Sequence, residues 1–242
     1  MGLATPQIIS PPARAARPAA GPTLVEWAHE HLLSMLVSME IAPGARIGID
    51  AVARKLGISQ TPIREALSRL EAEKLVHKVP NVGYRASNQM TRAEVNDLFE
   101  LRMLIEPYAT RRAAEAMTDD SLRTLAEIER ETRDMHAEKG AAYARFASAD
   151  AQLHRLVAQC GGNRFVTETI EGLHAHLHIF RLLYSTNAPE EAAEEHARLI
   201  EALIAHDGDA AEAAMRYHLE RSRARMDRAL DALETEARLA EA

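Results

Sequence analysis

The stretch Leu56-Gly-Ile-Ser-Gln-Thr-Pro-Ile-Arg-Glu-Ala-Leu-Ser-Arg-Leu70 decides how the rest of the chain is read. Gly57 suits the end of a helix, where a left-handed residue is needed and glycine carries no Cβ penalty. Ser59, Gln60, Thr61 and Pro62 then open a second helix. Ser and Thr favour an N-cap, and Pro is tolerated in a first turn whose N–H groups have no intrahelical partner. Behind that start, Ile63, Ala66, Leu67 and Leu70 recur at i, i+3, i+4 and i+7, an apolar stripe that must face a core. Gln60, Thr61, Arg64 and Ser68 stay on the opposite face. A short helix anchored on one side, with hydrogen-bonding side chains at its free N-terminal end, has what a recognition helix needs in a DNA major groove.

The flanks support that role. Upstream, Leu24, Trp27, Ala28, His31, Leu32, Met35, Leu36 and Met39 keep helical spacing over 24–39. Ile41-Ala-Pro-Gly-Ala-Arg-Ile47 breaks it, because Pro-Gly is a turn signal. Residues 49–56 form a second short helix with Asp50 near its start, and the recognition helix runs to about Lys74. Downstream, Val76 and Val79, then Val82, Tyr84 and Ala86, read as two short strands around Pro80-Asn81, with Gly83 close behind. Residues 23–86 thus read as a winged helix-turn-helix with a small β-hairpin wing. Gln60, Thr61 and Arg64 are expected at bases, with Pro62 in the same turn. Arg46, Arg54, Ser59 and the wing residues Lys78, Asn81, Gly83 and Arg85 are expected at the phosphate backbone or minor groove.

The run Ile41-x-Pro-Gly-x-Arg-Ile47, followed by Ala53-x-x-Leu-Gly-Ile-Ser-x-Thr-Pro-Ile-Arg-Glu-Ala-Leu-x-Arg-Leu-Glu-Ala-Glu-x-Leu-Val76, resembles the N-terminal domain of GntR-family transcription regulators. Family members usually place Arg where this chain has Gln60. Gln pairs bidentately with adenine and Arg with guanine, so the base preference should differ here.

Composition sets the surroundings. A length of 242 residues leaves room for two ordinary domains. Aromatic residues are 4% of the chain and the apolar set is mostly Ala and Leu, which favours helices over sheets. A single cysteine, Cys160, excludes an intrachain disulfide and suits a reducing cytoplasm. No apolar run approaches the roughly 20 residues a bilayer span needs, and no apolar core follows Arg14 and Arg17 to make a secretory signal. Residues 1–22 hold five of the ten prolines and read as a disordered tail. The net charge of −7 is unevenly spread. Residues 50–86 carry seven basic and four acidic groups, while 87–242 carry 19 basic and 29 acidic. Polyanion binding is therefore expected only at the front.

Residues 87–90 read as a linker, and Thr91-Arg-Ala-Glu94 as a capping box. Residues 91–242 read as an all-α antiparallel bundle of about six helices: 91–116, 119–138, 140–160, 163–186, 189–206 and 209–239. Pro107 should kink the first or mark a junction. Asp150 and His154 leave one helix face together at i, i+4. Alone, such a pair is weak evidence, since polar pairs at this spacing are common on surfaces. Converging with His196 and His218, it would suit a divalent transition metal such as Zn²⁺, Ni²⁺ or Mn²⁺.

This half resembles the FCD effector domain of the FadR branch of GntR regulators. The resemblance is carried by Leu98-Phe-Glu-Leu-Arg-x-x-Ile-Glu-Pro-x-Ala109, Asp150-x-x-x-His154 ahead of Gly162-Asn163, Glu195-His-Ala-x-x-Ile-x-Ala-Leu-Ile204, and His218. It implies that Asp150, His154, His196 and His218 are the metal ligands. It also implies that Arg102 faces the effector pocket, where it would hold a small carboxylate. The alternative for Arg102 is a structural ion pair with Glu106. Of the cluster His174, His176 and His178, the first and last share a face and are expected to line the effector pocket. Gly-x-Ser-x-Gly, Walker, Rossmann and His-Glu-x-x-His patterns are absent from the sequence. The expectation is a cytoplasmic, homodimeric repressor that binds a pseudo-palindromic double-stranded operator under control of an organic acid. The competing readings are a metal-dependent enzyme built on the same four residues, and a winged helix used only for protein contact.

Overall fold

The computed structural model describes residues 22–133, 141–184 and 186–241. The tail expected over 1–22, apart from Pro22, lies outside the described residues, as does the end of the helix expected over 119–138. Among the described residues, no helix is long and apolar enough to cross a membrane.

The N-terminal part is the winged helix-turn-helix. Helix α1 (Leu24–Val37) starts at a capping box: the Thr23 hydroxyl accepts from the Glu26 N–H, and Glu26 reaches back to the Thr23 N–H at 2.7 Å. The Pro-Gly turn brings in a short strand, β1 (Arg46–Ile47), and Gly44 takes φ 70° there. Helix α2 (Ile49–Leu56) ends at Gly57 with φ 69°, and α3 (Gln60–Ala72) follows. The stripe Ile63, Ala66, Leu67 and Leu70 is fully buried. Strands β2 (Val76–Val79) and β3 (Gly83–Ala86) pair antiparallel, with Val79 opposite Gly83. The sheet has three strands in the order β1-β3-β2, one more than the expected hairpin. A two-residue strand has no alternation for a sequence pattern to reveal.

Among the described residues, the regular elements of the C-terminal part are all helices: α4 (Arg92–Ala116), α5 (Asp119–Arg133), α6 (Ala141–Cys160), α7 (Arg164–Leu173), α8 (Ala175–Leu182), α9 (Ala188–Ile204) and α10 (Gly208–Glu241). Thr91 and Glu94 form the expected capping box. Two expectations need correction. Pro107 is buried inside α4 and does not sit at a junction between two helices. The single helix expected over 163–186 is two, α7 and α8, parted at His174, which adopts φ 48°.

Two apolar cores organise the molecule. One is wholly in the bundle and includes Leu125, Leu153, Val157, Leu199, Met215 and Leu219. Cys160 packs at its edge. The other joins the two parts: Trp27, Leu32 and Leu36 of α1 share a cluster with Tyr143, Phe146 and Phe180 of the bundle. Polar ties reinforce this seam. Lys74 donates to the Gly172 carbonyl at 2.6 Å, and buried Arg181 donates to the Ser87 carbonyl in the linker at 2.7 Å.

Candidate metal centre and DNA-binding face

Asp150 and His154 project from α6, His196 from α9 and His218 from α10, and all four side chains are buried. One ligand atom from each lies within 4.8 Å of the others. Spacing of i, i+4 puts the first two on one face, and α10, packed on α9 and α4, and α4, packed on α6, bring His196 and His218 to it.

The surrounding polar groups set which atoms point inward. His154 Nδ1 lies 2.6 Å from Glu106 Oε2. His218 Nδ1 lies 2.9 Å from Glu195 Oε2. Glu106 and Glu195 are held ionised: burial pushes their carboxyls up, but Arg102 and His154 outweigh it for Glu106. For Glu195, Arg225 and His218 bring the value down to about 2. An ionised carboxylate only accepts, so Nδ1 of each imidazole carries the proton and Nε2 keeps its lone pair. Burial lowers both histidines to about 4, so both are neutral at physiological pH. His176 Nδ1 donates to Asp150 Oδ2, leaving Asp150 Oδ1 free.

A test of fit comes from unpartnered buried atoms. Among the described residues, Asp150 Oδ1, His154 Nε2 and both nitrogens of His196 have no hydrogen-bond partner. Asp150 Oδ1 and His196 Nε2 approach to 3.1 Å without hydrogen-bond alignment. Each orphaned buried acceptor costs about 1–3 kcal/mol. A cation among them would remove that cost, and three imidazoles with one carboxylate form a donor set for a divalent transition ion. The residues fit a metal.

Arg102 is buried, pairs with Glu106 at 2.5 Å, and lines a small chamber together with Asp150, His176 and His218. The ion pair and the pocket-facing position, posed above as alternatives, coexist. Of the three neighbouring histidines, His174 and His176 line a cavity at the seam, and His176 also lines the chamber. His176 is the imidazole that meets the cluster, His174 sits at the α7–α8 junction, and His178 lies among Arg181, Lys74 and Glu94. Sequence reasoning did not single out Glu195 or Arg225. The usable signal was that a buried ligating histidine needs a carboxylate or carbonyl for its other nitrogen.

On the other part, Arg46, Arg54, Ser59, Gln60, Thr61, Arg64, Lys78 and Asn81 are exposed, as a DNA-facing surface requires. Ser59 occupies the N-cap position, yet its hydroxyl makes no capping bond. Gln60 is engaged at both ends of its amide: Nε2 donates to Asp50 Oδ1, and Oε1 accepts from Arg64 Nη2 at 3.3 Å. Three expected contacts are displaced. The Pro62 side chain is buried in the core; Gly83 is half-buried; and half-buried Arg85 donates to the Gly44 carbonyl at 2.8 Å, pinning the Pro-Gly turn to the wing.

Comparison with known proteins matches this two-part arrangement. Residues 24–85 match the family of bacterial regulatory proteins named gntR, and residues 97–221 match the FCD domain. The chain belongs to the GntR family, in the FadR branch that carries FCD domains. The HTH-type transcriptional repressor RspR of Escherichia coli is 28% identical over 191 residues, spanning 76% of this chain and 81% of that one. A probable D-xylose utilization operon transcriptional repressor of Paenarthrobacter nicotinovorans is 29% identical, over 76% of this chain and 82% of its own. The solved structure of Escherichia coli McbR/YncC shares the fold, with a TM-score of 0.64 at 21% identity, covering 86% of this chain and 99% of that one. This GntR protein is a DNA-binding transcription regulator. The family and its relatives are regulators and not enzymes, which sets aside the metal-dependent enzyme reading and the purely protein-binding winged helix.

Proposed function

We propose that this GntR regulator is a cytoplasmic homodimeric repressor whose hold on a pseudo-palindromic operator is set by a small organic acid bound beside a metal ion. The observation that carries the reading is the convergence of four buried ligand atoms within 4.8 Å, oriented by Glu106, Glu195 and His176. Asp150, His154, His196 and His218 would hold Zn²⁺, Ni²⁺ or Mn²⁺. When bound, the metal would supply a Lewis-acidic point for a carboxylate. Arg102, at the wall of the same chamber, would neutralise and orient that carboxylate.

At the other part, Gln60, Thr61 and Arg64 would meet base edges, with Arg46, Arg54, Ser59, Lys78 and Asn81 at phosphates. Pairing of two chains would present two such helices to two half-sites. Exposed Leu104 and Tyr108, one turn apart on α4, give such a contact an apolar start. The acid would shift the balance between DNA-competent and DNA-incompetent arrangements only through its differential affinity for them.

Two measurements test this. Elemental analysis of wild type and His196→Ala should find bound metal in the first and loss of it in the second; equal content would sink the ligand assignment. Titration of promoter-region DNA at low salt should show binding that Arg64→Ala weakens by about 10-fold or more. No binding by wild type would remove the operator reading.

A further inference from the structure

The chamber lined by Arg102, Asp150, His176 and His218 measures about 10 Å³, room for one water. An organic acid cannot enter it unless a wall moves. On the far side of His176 lies a second cavity of about 410 Å³, open to solvent at the seam between the two parts. Its lining includes Glu73 just beyond α3, Gln152 and Arg155 of α6, and Glu171 of α7. His176 lines both spaces.

We propose that the seam cavity is the entry port and outer subsite for the effector and the metal, with the His176 side chain as the gate to the chamber. This rests on the metal-and-acid reading above. Three features favour His176 as the part that moves. Among the described residues, its ring makes one hydrogen bond, to Asp150 Oδ2, beside a ring contact with His154, and α8 starts without a side-chain capping bond. The residue that joins α8 to α7 is His174 at φ 48°, a left-handed conformation that a non-glycine residue holds at some cost. A change of conformation at that one junction residue would swing His176 out of line.

The port holds one guanidinium, Arg155, beside two carboxylates that are already engaged. Glu73 is already paired with His29, and Glu171 accepts from Gln159, whereas Arg155 makes no ion pair among the described residues. Its guanidinium is free to receive a carboxylate at the mouth. The ligand class is therefore an acid long enough to leave one polar end in the seam while its carboxylate reaches Arg102. Opening the gate also has a route outward, because α8 carries Arg181, whose hydrogen bond holds the Ser87 carbonyl in the linker to the DNA-binding part.

The test uses full-length protein stripped of metal and Co²⁺ as the probe, whose visible bands report ligation directly. Uptake and chelator-driven release are timed for wild type, His176→Ala and Gln152→Trp. Gln152 is exposed, so a bulky side chain there narrows the port without entering the core. Removing the gate should speed uptake by about tenfold, and the tryptophan should slow it by about as much, with unchanged stoichiometry, because binding that waits on a conformational opening is slow. If His176→Ala speeds release alone, the histidine only orients Asp150 and the gate is overturned. Uptake rates equal to wild type in both variants overturn the port while leaving the metal site standing. A wild type that takes up no Co²⁺ overturns the metal reading, and the port falls with it.

Discussion

His154 donates through Nδ1 to Glu106 at 2.6 Å, and Glu106 is itself gripped by Arg102. The i, i+4 pair on α6 is thereby oriented, because the carboxylate decides which imidazole nitrogen of His154 faces the cluster. Removing its charge tests this. Glu106→Gln should weaken metal binding by about 10–100-fold, read by competition against a chelator of known affinity. Unchanged affinity would mean that the carboxylate serves Arg102 alone.

The imidazole of His178 provides a pH handle outside the ligand set. Burial, with Arg181, His174 and Lys74 adding to it against the opposing Glu94, lowers it to about 4. In the unfolded chain it titrates near 6.5, so the unfolded state binds more protons across that window. Its contribution to stability is complete above pH of about 6.5 and is lost as pH falls towards about 4. Wild type should therefore lose more stability than His178→Asn between those values, by on the order of 3 kcal/mol, in parallel urea titrations. Parallel pH profiles for the two proteins would refute the assignment.

Gly161 and its neighbour Gly162 separate two kinds of glycine. A Cβ at Gly161 would sit 2.6 Å from the Ala109 carbonyl oxygen on α4, a backbone atom that cannot swing away. Gly162 has φ 74° and open space around it. Gly161→Ala should cost about 1–3 kcal/mol by forcing α4 and the end of α6 apart, and at this chain length each kcal/mol lowers the Tm by roughly 2–4 °C. Gly162→Ala should cost about 1 kcal/mol, from the left-handed backbone alone. Calorimetry on both variants distinguishes them, and equal losses would contradict the packing argument.

On the DNA-binding face, Asp50 holds Gln60 by its amide nitrogen. Asp50→Ala should free that donor and change the base preference at one operator position by about tenfold, since a good bidentate pair discriminates by about 1–3 kcal/mol. Overall affinity at low salt should rise, because a carboxylate has left a phosphate-facing surface. Binding to a panel of operator variants at fixed salt measures both, and an unaltered preference profile would show that Gln60 reads no base.

The winged helix was legible because its signals are local. Gly57, the stripe Ile63 to Leu70 and the Pro-Gly turn each act within one helical turn of where they are written. The four clustered residues Asp150, His154, His196 and His218 were legible through resemblance and not through spacing. The groups that orient them were not, because they come from other elements: Glu106 is 48 residues from His154, Asp150 is 26 from His176, and Glu195 is 23 from His218. At the break between α7 and α8 the left-handed residue is His174 and not the nearby Gly172, so Leu173-His174-Ala175 reads as continuous helix. Pro62 and Arg85 were misplaced for a related reason: composition marks a residue as polar or turn-forming, but tertiary packing decides which way it faces.

The core shared by Trp27, Leu32, Phe146 and Phe180 makes modularity a poor guide to this molecule. A chimera cut at the linker would graft a foreign α1 onto α6 and α8, leaving mismatched apolar surfaces at the junction. Exchange of DNA specificity between relatives therefore has to spare α1 and transplant only the surface of α2, α3 and the wing. The unit of inheritance here is the reader together with the surface it rests on.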